Sequence, residues 1–268
     1  MSSIAAVVFD WAGTMIDFGC IAPVEALLTA FTNEGVTITE AEARRDMGRA
    51  KRDHVRALLA MPRIRDLWVE RHGSETSEAD VGRIHDALEP LMRAATARHA
   101  ELIAGASDLA KMLTARRIKI GSSTGYTRTM MADILPRAAA QGYAPGVVVC
   151  SGETLEGRPS PLPMLKNMVE LGAYPAWRCV KVDDAEVGIQ EGRAAGAWTV
   201  GVAASGNGVG LSAAAWQALS RDEQYARASR AAAALKAAGA HYIVDTVADL
   251  EPVLAEIEGR IAGGGRPD

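Results

Sequence analysis

From Gly105 to the end of the chain, short apolar runs alternate with segments of helical period, and few folds accept that rhythm. Helix 107–115 leads to strand Ile118–Ser122, and helix 127–140 to strand Val147–Cys150. Helix 161–171 leads to strand Cys179–Asp183, and helix 186–195 to strand Trp198–Ala203. Alanine-rich helices at 212–219 and 221–239, strand Tyr242–Val244 and a helix at 247–261 complete the series. Such alternation predicts a parallel sheet covered by helices on both faces. Ile4 to Phe9 is one more apolar run of strand length, and it belongs with this set.

The stretch between is different. Pro23 to Asn33 keeps Ala26, Leu27, Ala30 and Phe31 on one helical face and stops at Gly35. Thr39 with Glu42 is a capping box opening a helix that stops near Gly48. Lys51 to Met61 is helical, with Val55, Leu58 and Leu59 inward, and Pro62 ends it. A further piece covers Ile64 to Arg71, and Ser77 with Asp80 caps a long helix running to Ala100. The expected fold class is therefore α/β: a doubly wound, mainly parallel core formed by residues 1–19 and 101–268, with a helical cap inserted at 20–100. A chain of 268 residues is long enough for both.

Composition narrows the function. A net charge of −4 gives no basic footprint for nucleic acid or an anionic membrane. No stretch approaches the roughly 20 apolar residues of a spanning helix, and the first apolar run is too short for a targeting signal. Cys20, Cys150 and Cys179 have neither disulfide nor metal-finger spacing, so a reducing, cytoplasmic setting is expected. The tail from Gly263 to Asp268 reads as a disordered end.

In an open parallel sheet the loops after the strands share one edge, where ligands bind. Asp10 ends the first strand and turns at once through Gly13 to the Thr14 hydroxyl. A carboxylate there can attack phosphorus, hold a divalent cation or cap the turn. The second strand delivers Ser123-Thr124-Gly125-Tyr126-Thr127, hydroxyls and free amides entering a helix, which suit phosphate. The third delivers Gly157-Arg158-Pro159, and the fourth Asp183-Asp184, hard oxygens suited to Mg²⁺. Each has a plain structural alternative: a helix cap, a solvated loop charge, a pair of N-cap acids. Their order, with nucleophile, hydroxyl, cation and acid on successive strands, argues for a site.

That ordered set resembles the haloacid dehalogenase superfamily, whose phosphatases use the first-strand aspartate as phosphoryl acceptor with Mg²⁺. Most carry a second aspartate two residues on, acting as acid and base on the leaving oxygen; here that position is Ala12. A methyl group cannot protonate an alkoxide, so ordinary phosphate-ester hydrolysis should be crippled. In the cap, Met47-Gly48-Arg49-Ala50-Lys51-Arg52-Asp53-His54 sets Lys51 and His54 on one helical face. Ala12 together with Lys51, Phe18-Gly19-Cys20 and the strand-end motifs resembles the phosphonoacetaldehyde hydrolase (phosphonatase) family over about Ile4 to Leu250.

The resemblance implies a Schiff base between Lys51 and the substrate aldehyde, a phosphorylated Asp10, and His54 assisting proton transfers. It implies Mg²⁺ held by Asp10, the Ala12 carbonyl and Asp184, and phosphate held by Thr124, Gly125 and Arg158. Cys20, Met47, Gly48 and Tyr126 are expected to line the pocket, and a homodimer joined through its caps is expected. The chain departs from the superfamily pattern at Asp183-Asp184-Ala185 and Gly188, where Gly-Asp-Thr and a later Asp are usual; this puts metal affinity in question, and Asp183 is the candidate to compensate. Three rivals stay open: a phosphomonoesterase or phosphosugar mutase, a non-catalytic binding relative, and a hydrolase of a related carbonyl phosphonate.

Overall fold

β1 (Ala6–Phe9) is buried at every position, as a strand covered on both faces must be. After it come α1 (Ile21–Asn33), α2 (Glu40–Arg44), α3 (Lys51–Leu59), α4 (Pro62–His72), α5 (Glu78–His99) and α6 (Ala106–Ala115). The chain then alternates through β2 (Lys119–Ser123), α7 (Arg128–Met131), α8 (Ile134–Ala140), β3 (Val147–Val149), α9 (Leu162–Leu171) and β4 (Cys179–Asp183). It closes with α10 (Glu186–Ala194), β5 (Trp198–Val202), α11 (Ala213–Gln217), α12 (Arg221–Ala237), β6 (Tyr242–Val244) and α13 (Leu250–Ala262). This computed structural model describes residues 2–268.

The six strands form one parallel sheet in the order β3-β2-β1-β4-β5-β6. Strand order reverses beside β1, so the crevice for ligands opens where β1 and β4 end. Phe9 pairs with Val182 and the Asp10 amide donates to the Val182 carbonyl at 3.0 Å, which sets Asp10 next to Asp183 and Asp184. The doubly wound architecture expected from the sequence is the one observed.

The helices α1 to α5 form a unit outside the sheet, with α1 packed along α5. Thr39 and Ser77 cap α2 and α5 through the expected boxes. The two strands of chain joining this unit to the sheet run antiparallel and pair: the Ile103 amide donates to the Met15 carbonyl at 2.9 Å, and Ile16 bridges Leu102. One apolar core continues from Val7 and Phe9 through Met15 and Ile16 to Leu27, Phe31 and Leu58. No helix among the described residues is long and apolar enough to cross a membrane.

Several boundaries differ from the sequence expectation. The helix expected at 127–140 is two, because Pro136 has no N–H to offer the Ala132 carbonyl and instead occupies the first turn of α8, where no donor is missed. The segment after Thr39 leaves helical geometry at Arg44 and turns irregularly to Gly48. The tail is not loose: the Gly265 amide donates to the Arg260 carbonyl at 2.8 Å, and Arg266 lies 4.1 Å from the Trp177 ring centre.

Candidate active site

The floor of the site is built by the sheet. Arg158 is 6 % exposed and directs its guanidinium at three carboxylates: Asp10 at 2.8 Å, Glu191 at 3.1 Å and Asp183 at 3.5 Å. It also donates to the Ser123 carbonyl. Lys181, wholly buried in the middle of β4, meets Asp183 at 2.9 Å, Glu191 at 3.2 Å and the Ser123 hydroxyl at 2.8 Å. Burial alone would lower the Arg158 pKa, but Asp183, Asp10 and Glu191 more than offset it, so the guanidinium stays charged. Buried ions survive only when matched in this way.

Asp184 completes the carboxylate group. Its oxygens accept from the Thr14 hydroxyl at 3.1 Å and from the Asn207 amide at 2.8 Å. Oxygens of Asp10, Asp183 and Asp184 all lie within 4.8 Å of one another. Burial, and then the charge of Asp183, raise the Asp10 pKa to about 6; burial, and then Asp10 and Asp183, raise Asp184 well above the carboxylate range. Four ionised carboxylates against Arg158 and Lys181 would leave two negative charges uncompensated, the charge that one divalent cation carries. The hard oxygen donors fit such an ion. Asp183 joins the expected ligands Asp10 and Asp184 in this cluster, and its side chain fills the space beside position 188: any side chain replacing Gly188 would run into the Asp183 carboxylate.

Across from this floor stands α3. Lys51, its first residue, is 2 % exposed; burial lowers its pKa from 10.5 to about 8 against the opposing pull of Cys20 and Asp10. Its ammonium has no carboxylate within ion-pair distance among the described residues. It lies 3.8 Å from the Met47 sulfur and 5.1 Å from the centre of the Tyr126 ring. Burial also raises the Tyr126 hydroxyl and the Cys20 thiol well above their usual ranges, so both stay protonated. Gly48 lets the cap backbone approach closely here, since a Cβ on it would sit 2.7 Å from Val187 and 2.9 Å from Ala185.

Asp10, Ala12, Cys20, Met47, Gly48, Lys51, Thr124, Gly125, Tyr126 and Asp184 converge on a single cavity, with Ala185 as the remaining lining residue. Its volume of about 20 Å³ holds roughly one water, too little for an organic substrate. Arg158 lines the adjoining cavity with Thr124 and Gly125. His54 lines neither: it is fully buried behind Lys51, neither ring nitrogen has a well-formed hydrogen bond, and burial followed by the charge of Lys51 lowers its pKa to about 3. It is a neutral imidazole.

The sequence reading missed Lys181, Glu191, Ser123 as an acceptor, and Asn207. Lys181 had a signal: a lysine inside a five-residue strand flanked by Val180 and Val182 must be buried, and a buried lysine needs anionic partners. Asn207 had none, because it acts through its backbone amide.

A sequence profile of haloacid dehalogenase-like hydrolases matches residues 4–196. A phosphonoacetaldehyde hydrolase of Paraburkholderia xenovorans is 47 % identical over 267 residues, covering 100 % of both chains. One from Paraburkholderia phytofirmans is 48 % identical over the same span and coverage. The crystal structure of a phosphonoacetaldehyde hydrolase-like protein from Oleispira antarctica superposes with a TM-score of 0.98 at 43 % identity, covering 99 % of this chain and 96 % of the other. With a site of this make-up on a sheet of this order, the chain belongs to the phosphonoacetaldehyde hydrolases of the haloacid dehalogenase-like hydrolases.

Proposed function

We propose that the chain hydrolyses the carbon–phosphorus bond of phosphonoacetaldehyde, releasing acetaldehyde and phosphate. One observation carries the reading: a buried lysine with a lowered pKa shares a cavity with the first-strand aspartate, and a methyl group, that of Ala12, stands where an acid would serve an ester. Direct cleavage would expel a carbanion. An imine gives those electrons somewhere to go.

In this reading neutral Lys51 adds to the aldehyde carbon and water leaves, giving a protonated imine. Asp10 attacks phosphorus in line, and the electron pair of the breaking carbon–phosphorus bond moves into an enamine. The enamine carbon takes a proton, and hydrolysis of the imine frees acetaldehyde and Lys51. Water then cleaves the aspartyl phosphate. Thr124, Gly125 and Arg158 bind the phosphoryl oxygens, as charge-assisted donors do. Cys20, Met47, Gly48 and Tyr126 wall the pocket. His54, buried on α3 beside Lys51 with both ring nitrogens unpartnered, assists proton transfers around the imine.

Asp10, the Ala12 carbonyl, Asp184 and, by its position, Asp183 would hold Mg²⁺, which supplies charge neutralisation at the phosphoryl oxygens. Residues 20–100 act as a cap that opens for substrate and excludes water when shut over the core of 1–19 and 101–268. The family resemblance supports a homodimer, which sedimentation velocity tests. Three buried free cysteines are consistent with a cytoplasmic setting.

The decisive experiment is borohydride reduction with phosphonoacetaldehyde followed by peptide mapping. A stable adduct on Lys51 is expected. Full activity with no adduct, or an adduct on another lysine, overturns the mechanism. Turnover of p-nitrophenyl phosphate rivalling that of the phosphonate would instead favour a phosphomonoesterase.

A further inference from the structure

The loop that follows β5 bonds to the turn after β1, to the segment before α1 and to Asp184. The Ser205 hydroxyl donates to the Gly13 carbonyl at 2.8 Å, and the Gly19 amide donates to the Ser205 carbonyl at 2.7 Å. The Asn207 amide holds Asp184 at 2.8 Å. One residue of the cap grips this loop. Arg44, at the end of α2, donates to the Asn207 side-chain oxygen at 3.1 Å and to the Gly210 carbonyl at 3.0 Å, while the Asn207 side-chain amide donates back to the Arg44 carbonyl at 3.0 Å. The same guanidinium donates to the Gly19 carbonyl at 2.8 Å, in the segment joining cap to core.

No carboxylate pairs with Arg44 among the described residues; all its acceptors are neutral oxygens. A half-buried arginine spent on neutral acceptors in two segments fixes geometry and balances no charge. Its contacts hold only while α2 lies against the loop, whereas the Asn207 amide keeps its bond to Asp184 only while the loop keeps its shape. The cap position and the orientation of a carboxylate in the Asp10, Asp183, Asp184 cluster are therefore joined through one side-chain pair.

We propose that Arg44 is a positioning residue that, through Asn207, couples cap closure to the alignment of Asp184 for a divalent metal ion. This rests on reading the three aspartates as the metal site. Arg44 touches neither those aspartates nor the cavity; it acts on a bond one residue removed. Partners one step outside a metal's own ligands commonly change metal affinity by about 10- to 100-fold when lost.

The test is Mn²⁺ titration of the full chain, followed by isothermal calorimetry, in Arg44→Ala, Arg44→Lys, Asn207→Ala and the double alanine variant, with Arg83→Ala as an exposed cap control. Arg44→Ala and Asn207→Ala are each expected to weaken Mn²⁺ binding about tenfold, and the pair no more than either alone, since both cut the same link. Arg44→Lys recovers part of the loss, and Arg83→Ala leaves Mn²⁺ binding unchanged. Activity lost at limiting Mn²⁺ returns at saturating Mn²⁺, which a general structural defect would not allow. Equal Mn²⁺ affinity in wild type and both single variants overturns the coupling, as do losses that add in the double variant. Wild-type chain that binds Mn²⁺ but releases no acetaldehyde sinks the proposed reaction and leaves this inference standing.

Discussion

The floor and the roof of the cavity handle buried charge in opposite ways. On the floor Arg158 and Lys181 each meet two or more carboxylates within 3.5 Å, and the Ser123 oxygens take up further donors. On the roof Lys51 is as deeply buried but faces a thioether and an aromatic ring, and His54 beside it has no well-formed partner. A cation that must stay charged is surrounded by anions; one that has to become neutral in the proposed reaction has no carboxylate at ion-pair distance. The sheet, fixed by its hydrogen bonds, suits the first task. The helical unit of α1 to α5, which lies outside that sheet, suits the second.

The largest effect that separates the two should come from removing the roof amine. Lys51→Ala is expected to cut acetaldehyde release from phosphonoacetaldehyde by at least about 10⁴-fold, because no other group in the cavity can form the imine. Its fold should be intact by circular dichroism. Residual turnover near wild type would end the distinction, since the amine would then be an ordinary buried lysine.

The floor should fail by unfolding instead. Arg158→Leu strips Asp10, Asp183 and Glu191 of their shared cation and should destabilise the chain by about 3–5 kcal/mol, read by calorimetry. In a chain of this size that is a fall in Tm of roughly 10 °C. A change of only a degree or two would mean that the carboxylates are neutral without it.

Lys51 offers the reverse case. Its folded pKa of about 8 lies below its ordinary 10.5, so between those values the unfolded chain binds the extra proton and stability rises with pH. Below that window the strain of the buried charge is present in full, at most about 3 kcal/mol. Lys51→Met should therefore be inactive yet more stable at neutral pH, and should lose the rise with pH. The rate for wild type should climb as pH approaches about 8, as the free amine becomes available.

Much of this was legible because the strand ends carry the chemistry. Asp10, Thr124 and Asp184 stand out as polar residues at the ends of apolar runs, with Arg158 in the loop after the third, and sheet topology brings them together. Lys51 was legible only beside Ala12, through resemblance; its helical spacing would fit a solvated face equally well. What stayed hidden acts across long sequence distances through ordinary residues. Glu191 sits on a helix in a pattern that reads as exposed, and Gly188 reads as a lost acid until the Asp183 carboxylate is seen occupying its space. Arg44 has no motif at all, since its acceptors are backbone oxygens, which any sequence supplies, and the side-chain oxygen of Asn207, far away in the chain.

The smallest effect sharpens the contrast from the solvent side. Arg56 on α3, beyond Lys51 toward the C-terminal end of the helix, pairs with Glu78 at 2.6 Å, a shorter distance than any of the three ion pairs Arg158 makes. Both partners are roughly half exposed, at 44 % and 62 %. Water and salt screen such a pair, and holding two long side chains still costs entropy, so Glu78→Gln should leave Tm almost unchanged, and still less affected at high salt. Metal binding and turnover should be untouched, because Glu78 bonds to Arg56 and Arg52 and not to the cavity wall. A fall in Tm as large as that of Arg158→Leu would show that the cap depends on its surface charges as the floor depends on its buried ones, and burial would then not be what divides the two halves of the site.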